Sequence, residues 1–370
     1  MDAGLEGIGA FSLAFCAPAS PGTSGVLASS GVSHGGQLGD GSGQTVDQNT
    51  LFDLASVTKL FTATLVLLLQ QNGVLALGQK VKEFFPKNRS ELAAADATLT
   101  DLLLHRSGLP ATSDLWKTAL FADGTPDVQR AQELLLASPL EHEPGAKHVY
   151  SCVGYATAGL IVERATGQSL DQVLAALVVQ PLGLESLQYQ PDPARASIAA
   201  TEVRPAESAH RPGLCQGEVH DEMAWALGGV SGNAGLFSTA ADLLVFAKML
   251  ANRGEHDGSL FLSEDTWRLM SRAPRLDARA DYQQALGPRL GMRSLTGSDR
   301  LNLVGHTGYT GTALVADTDT GGAVVALTNG SYPDRSLTPV APRLLPLMRE
   351  ILQLRDHSGF ALGHERMPRP

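Results

Sequence analysis

The stretch Leu51-Phe52-Asp53-Leu54-Ala55-Ser56-Val57-Thr58-Lys59-Leu60-Phe61-Thr62-Ala63-Thr64-Leu65-Val66-Leu67-Leu68-Leu69 decides how this chain reads. Its first five residues read as the end of a buried extended segment, and an apolar helix is expected over 56–72. Residues three apart on a helix share a face, so the Ser56 hydroxyl and the Lys59 amine can meet. Near a helix N-terminus the backbone dipole and desolvation both disfavour an ammonium, so Lys59 is expected as an uncharged, basic amine. Such an amine takes the hydroxyl proton and leaves a nucleophilic alkoxide. The plainer alternative is a capping serine followed by a solvent-facing lysine. It fits poorly, because Lys59 lies amid apolar residues and not on a polar face.

Two further motifs follow in order. Tyr150-Ser151-Cys152 comes after the turn signal Glu143-Pro144-Gly145 and opens a helix expected over 150–165. His306-Thr307-Gly308 precedes Tyr309-Thr310-Gly311 and the apolar run Ala313-Leu314-Val315-Ala316. The turn at 317–321 and the run Ala323-Val324-Val325-Ala326-Leu327 complete a hairpin, which puts His306 on or beside a strand at a sheet edge.

The ordered set Ser-x-x-Lys, Tyr-Ser-x and His-Thr-Gly resembles the serine β-lactamase and penicillin-binding-protein superfamily, in particular its class C-like and esterase branch. Leu102-Leu103-Leu104-His105-Arg106-Ser107-Gly108-Leu109-Pro110, Val219-His220-Asp221-Glu222 and the segment 235–243 extend the likeness, which runs from about 25 to about 329. The resemblance implies an α+β fold, an antiparallel sheet flanked by helices, with an inserted helical region. Residues 1–55 and 235–370 would form the sheet-containing domain and 56–234 the mainly helical one, with the active site between them.

Residue by residue, the resemblance implies Ser56 as nucleophile, Lys59 as its activator and Tyr150 as the proton shuttle. A tyrosine titrates near about 10, so it must be stabilised as phenolate or work in concert with Lys59. His306 stands where related enzymes place a lysine, lending charge or a hydrogen bond. Thr307 and Gly308 complete that wall, and the backbone N–H groups of Ser56 and Tyr309 would form an oxyanion hole, each worth about 3 kcal/mol. Cys152 departs from the pattern, which expects Asn there. A thiol hydrogen-bonds weakly where an amide both donates and accepts. This tilts the expectation from β-lactams and peptides toward esters or small amides. The alternatives are a β-lactamase or D-amino-acid-specific peptidase, and an acyl-binding sensor without turnover. Cys152 as the nucleophile itself is the remotest reading.

Rival chemistry finds less support. Gly31-Val32-Ser33-His34-Gly35 matches a nucleophile elbow, but glycine-rich 36–43 follows where a helix is required, so a strand and turn are expected. Residues 39–43 lack a P-loop lysine. No His-Glu-x-x-His or paired cysteine spacing suggests a metal, and no cofactor is expected. His142 and His148 are expected at the surface, His105 as a satisfied buried histidine, and the His220 cluster as a loop or cleft wall. Ser238 and Thr239 read as a helix cap, and 191–212 as a long surface loop.

A chain of 370 residues with 43% hydrophobic residues can bury one large core or two adjoining ones. Its 28 Lys+Arg against 38 Asp+Glu, without long basic runs, argue against nucleic acid or an anionic membrane as partner; the resemblance implies a small-molecule ester, amide or β-lactam instead. Three widely spaced cysteines, Cys16, Cys152 and Cys215, suggest reduced thiols. The start Met1-Asp2-Ala3-Gly4-Leu5-Glu6 has no basic n-region, and 60–69 is shorter than a span of roughly 20 residues, so a cytoplasmic protein is expected. Oligomeric state is not legible.

Overall fold

The computed structural model describes residues 9–18, 27–86, 92–194, 196–206, 208, 210–334 and 341–352. Its main sheet has seven antiparallel strands in the spatial order Gln283–Gln284, Arg289–Leu290, Leu303–Thr307, Ala313–Asp317, Ala323–Thr328, Ala10–Pro18, Leu27–Gly36. The chain's first hairpin thus completes a sheet begun by its last strands, with Phe11 opposite Thr328 and Ala14 opposite Val325. This is the expected α+β architecture. The elbow-like segment 31–35 is plain strand, paired along Ala10–Pro18.

The central strands Ala313–Asp317 and Ala323–Thr328 are buried at every position because both faces of the sheet are covered there. Alternate residues point to opposite sides. Leu314, Val325 and Leu327 join the large core that includes the Ala240–Ala251 helix. Val315, Val324 and Leu13 pack with Leu344 and Met348 of the Ala341–Ile351 helix. That helix answers the one expected over 342–354, whose last two positions lie outside the described residues.

The Leu51–Leu69 stretch behaves as two pieces. Phe52–Asp53 pairs with Leu236–Ser238. A 3-10 turn, Ala55–Val57, then leads into the Thr58–Gln71 helix, whose residues 58–69 are all buried. A helix apolar all round belongs in a core. It packs against the Cys152–Thr166 helix, which starts on Ser151 as N-cap and ends on Gly167 in the left-handed region.

Two expectations are corrected. His306 is not at the sheet edge: Leu303–Thr307 has neighbours on both sides. Its pairing with Arg289–Leu290 stops at Gly305, however, so His306 and Thr307 run past their shorter neighbour. Nor is 191–212 simply a surface loop. Ile198, Ala199 and Ala200 are buried, Ile198 bridges Leu51, and Glu202–Arg204 pairs with Gly213–Cys215. The apolar trio needs burial, and the bridge draws it against the segment leading to Ser56.

Candidate active site

The 3-10 turn brings residues three apart nearly into register, and Lys59 Nζ lies 3.0 Å from Ser56 Oγ. The same amine donates to the carbonyl of Asn233 at 2.8 Å and approaches Cys152 Sγ at 3.4 Å. Its nitrogen stands 5.1 Å from the centre of the Tyr150 ring. The structure therefore gathers Ser56, Lys59, Tyr150 and Cys152 around one buried nitrogen.

Burial alone pushes the Lys59 amine down. The fields of Cys152, Tyr150 and Asp221, with a hydrogen bond to Tyr150, more than offset this, and the net shift is upward. Three acceptors also match the three N–H bonds of an ammonium. These contacts favour the ammonium over the uncharged amine that the sequence suggests.

Two glycines bring the Asn233 carbonyl within reach. A Cβ on Gly232 would meet the Tyr155 carbonyl oxygen at 2.2 Å, and one on Gly159 would meet the Gly232 nitrogen at 2.9 Å. Without side chains there, 231–233 wedges between the two central helices, where Thr62 Oγ1 donates to the Gly232 carbonyl at 2.8 Å. The Asn233 side chain is tied in turn, accepting from Ser231 at 2.7 Å and donating to Asp221 at 3.1 Å.

Tyr150 lies among four basic side chains. The His105 ring is 4.5 Å away and the His306 ring 6.1 Å, centre to centre. The Arg289 guanidinium lies 4.9 Å from the ring centre, opposite in sequence to anything the motifs suggested. His105 Nδ1 accepts from the Ser151 amide at 3.0 Å, so its proton sits on Nε2, which has no hydrogen-bond partner among the described residues. The histidine is buried as expected but only half satisfied. His148 is exposed as expected, its ring 5.9 Å from that of His105, centre to centre. Burial first, then the charges of Arg289 and Lys59, holds His306 well below the usual imidazole range. It is neutral, and its Nδ1 lies 2.7 Å from the Thr307 carbonyl. Of the charge or hydrogen bond expected of His306, the positive charge beside Tyr150 comes from Arg289, whose Nη1 donates to Thr307 Oγ1 at 2.9 Å.

The turn after His306 is pinned to the segment before Ser56. Thr310 Oγ1 donates to the Asp53 carbonyl at 2.8 Å and Thr312 Oγ1 to the Leu54 carbonyl at 3.0 Å. A Cβ on Gly308 would meet Thr312 Oγ1 at 2.1 Å and the Leu54 oxygen at 2.5 Å, so glycine is required there. Tyr309 is 61% exposed, its ring 5.5 Å from that of His220, which makes the His220 loop a wall of the cleft. A cavity of about 420 Å³ opens alongside, lined by Leu104, Arg106, His148, Leu276 and Tyr282. Tyr282 connects it to Arg289, 4.4 Å away.

Asp53, Asn233 and Arg289 escaped the sequence reading. Asp53 carried a signal, a lone charge inside an apolar run; Asn233 and Arg289 sit in unmarked glycine-rich segments. Among the described residues, no group of three or more His, Cys, Asp or Glu side chains is arranged to hold a metal. None of the described helices is long and apolar enough to cross a membrane. Cys16, Cys152 and Cys215 are free thiols.

Comparison with known proteins agrees with the geometry. The family profile described as "Beta-lactamase" matches residues 19–346. A protein of Escherichia coli (strain K12) named "Putative D-alanyl-D-alanine carboxypeptidase" is 32% identical over 332 residues, covering 82% of this chain and 74% of the relative. The D-amino acid amidase of Ochrobactrum anthropi SV3, solved with D-phenylalanine, superposes with a TM-score of 0.68 at 25% identity, over 93% of this chain and 95% of that one. EstCE1, described as a hydrolase with promiscuous acyltransferase activity, shares the fold at a TM-score of 0.66 and 20% identity, over 91% and 93% of the two chains.

Proposed function

Because this chain belongs to the beta-lactamase family of serine hydrolases, we propose that it forms an acyl-enzyme on Ser56 and releases leaving groups that carry a free carboxylate, as in an acyl-D-alanyl-D-alanine. In this reading Ser56 Oγ attacks the carbonyl, and its proton passes to the Tyr150 oxygen and on to the departing amine or alkoxide. Lys59, as an ammonium, orients the hydroxyl and offsets the developing negative charge. The N–H groups of Ser56 and Tyr309 take the carbonyl oxygen. Water then reverses the sequence.

The observation that carries the substrate class is Arg289, held between Tyr150 and Thr307 beside a cavity that Arg106 also lines. A planar guanidinium suits a carboxylate better than a compact ammonium does. The names of the E. coli relative and of the Ochrobactrum amidase point to D-configured amino-acid substrates in both proteins. The test is release of D-alanine from an N-acyl-D-alanyl-D-alanine against its C-terminal methyl ester and amide. A preference of at least tenfold for the free acid is expected; equal rates on all three would overturn the carboxylate reading.

Cys152 favours a second reading, small carboxylic esters, because no side-chain amide stands there to orient a peptide. Much faster hydrolysis of p-nitrophenyl acetate than of any D-alanyl peptide would select it. A stable Ser56 adduct with no turnover on either would point to an acyl-binding sensor.

A further inference from the structure

We propose that Asp53 is a positioning residue for the nucleophile, a buried carboxylate that ties the Ser56 turn, the His220 loop and the hairpin after His306 into one unit. The proposal rests on the reading of Ser56 as nucleophile.

Asp53 is 1% exposed, yet all of its acceptors are used. Oδ1 accepts from the Ala55 amide at 2.7 Å. Oδ2 accepts from the His220 amide, also at 2.7 Å, across 167 residues of sequence. Its backbone carbonyl takes the Thr310 hydroxyl. One residue therefore touches three separate walls of the cleft. The Ala55 amide is the critical contact, because Ala55 has a φ of +46°, in the left-handed region that residues with a Cβ resist. Backbone strain of this kind persists only when surrounding bonds fix it, and the next residue is Ser56.

The bonding pattern also bears on the protonation state. Both carboxyl oxygens accept from backbone N–H groups, an arrangement that favours the ionised form, whose oxygens are the stronger acceptors. A buried charge of this kind costs stability, and an apolar residue would cost less. Its presence is explained by what it aligns. Desolvation, with a smaller push from Asp221, raises the Asp53 carboxyl to about 6, against the two amide bonds and Arg211, which lower it. Asp221 and Arg211 are the charged side chains facing it. The Cys215 thiol feels its field, and the His220 ring lies 5.5 Å from that of Tyr309, centre to centre. The brace holds both amides as a carboxylate at pH 7.5 and takes up a proton as the pH falls through about 6.

The test measures the rate at which a fluorophosphonate labels Ser56 in the wild type and in Asp53→Asn from pH 5 to 8.5, with kcat and KM on p-nitrophenyl acetate. At pH 8 the variant should label roughly tenfold to a hundredfold more slowly, because small misplacements of reacting groups cost rates of that order. Its KM should stay within about twofold of wild type, and the inflection near pH 6 in the wild-type profile should vanish. Hydrogen exchange on the wild type keeps the test valid if the variant does not fold. After correction for intrinsic rates, peptides spanning 51–57 and 216–222 should gain protection between pH 7.5 and 5.5, because opening would return the Asp53 carboxyl to its ordinary range, whereas the 58–71 helix should not. Equal labelling rates and profiles, or pH-independent exchange in both segments, would overturn the brace. Absence of any label on wild-type Ser56 would instead remove the nucleophile assignment, and this proposal with it.

Discussion

Cys152 Sγ approaches Lys59 Nζ at 3.4 Å, a thiol where the motif resemblance implies an amide. Replacing it is the most direct way to ask what limits the substrate range. Cys152→Asn restores a donor and an acceptor at the mouth of the site. One additional neutral hydrogen bond contributes about 0.5–1.5 kcal/mol, or roughly twofold to tenfold in rate. Turnover of an amide or a chromogenic cephalosporin should rise by that factor, while p-nitrophenyl ester hydrolysis changes little. No gain on either amide substrate would remove the reasoning behind an ester preference.

Ser56→Ala should reduce turnover of every substrate by about 10⁴-fold or more, as loss of a nucleophile does in serine hydrolases. Ser56 occupies a 3-10 turn whose backbone bonds do not use its hydroxyl, so the thermal midpoint should stay within a few degrees of wild type. Peptide mapping after fluorophosphonate treatment should show the label on the wild type at Ser56 and none on the variant. A label on Cys152 would revive the thiol as nucleophile.

Arg289→Ala and Arg289→Lys separate charge from shape. A charge-assisted bond to a carboxylate contributes about 1.5–3 kcal/mol. The alanine variant should therefore lose roughly tenfold to a hundredfold more kcat/KM on a D-alanyl free acid than on its methyl ester. Lysine should restore part of that loss, since it keeps the charge but not the planar fork. Equal losses on acid and ester would mean that Arg289 serves Tyr150 or Thr307 and not the substrate.

Stability should respond to pH through two histidines. Burial first, then nearby positive charges, holds both His105 and His306 well below the usual imidazole range. A lowered folded value means that the unfolded chain takes up protons the fold refuses. The stability they contribute is therefore present above about pH 6.5 and lost as the pH falls. Each accounts for about 2 kcal/mol between pH 7 and 5. Asp53 works in the opposite sense: its folded value is raised, so acidification through about 6 recovers stability that its burial had cost. Urea unfolding at pH 7 and pH 5 should show His306→Gln losing about 2 kcal/mol less than wild type over that interval. An unchanged difference would mean that His306 is protonated in the fold.

The sequence disclosed the covalent chemistry better than the electrostatics, for a physical reason. Ser56 and Lys59 are local neighbours, and the Tyr150 and His306 motifs each sit at a helix or strand boundary that turn residues and apolar periodicity mark. The α+β fold followed from the resemblance that these motifs carry, with the hairpin run at 313–327 and the apolar helix at 60–69 as local support. Charge states did not follow, because they depend on groups brought together from distant positions. Lys59 is pushed upward by Cys152, Tyr150 and Asp221, and His306 is held down by burial first and then by Arg289 and Lys59. The burial of 198–200 was equally hidden, since its partner Leu51 lies almost 150 residues away in a different element.

Gly232 ties these long-range features to function through backbone geometry alone. A methyl group there would lie 2.2 Å from the Tyr155 carbonyl oxygen and cannot be accommodated by a side-chain rotation, because the obstacle is helix backbone. The 231–233 segment must then withdraw from between the helices. Gly232→Ala should lower unfolding stability by about 1–3 kcal/mol, the usual cost of overpacking. Withdrawal also removes the Asn233 carbonyl from Lys59, and with it one of three acceptors for a buried ammonium. Activity on p-nitrophenyl acetate should therefore fall more than the population of folded protein does. Denaturation and kinetics on the same sample separate the two effects: a destabilised variant with wild-type kcat would show that the Asn233 contact is structural only.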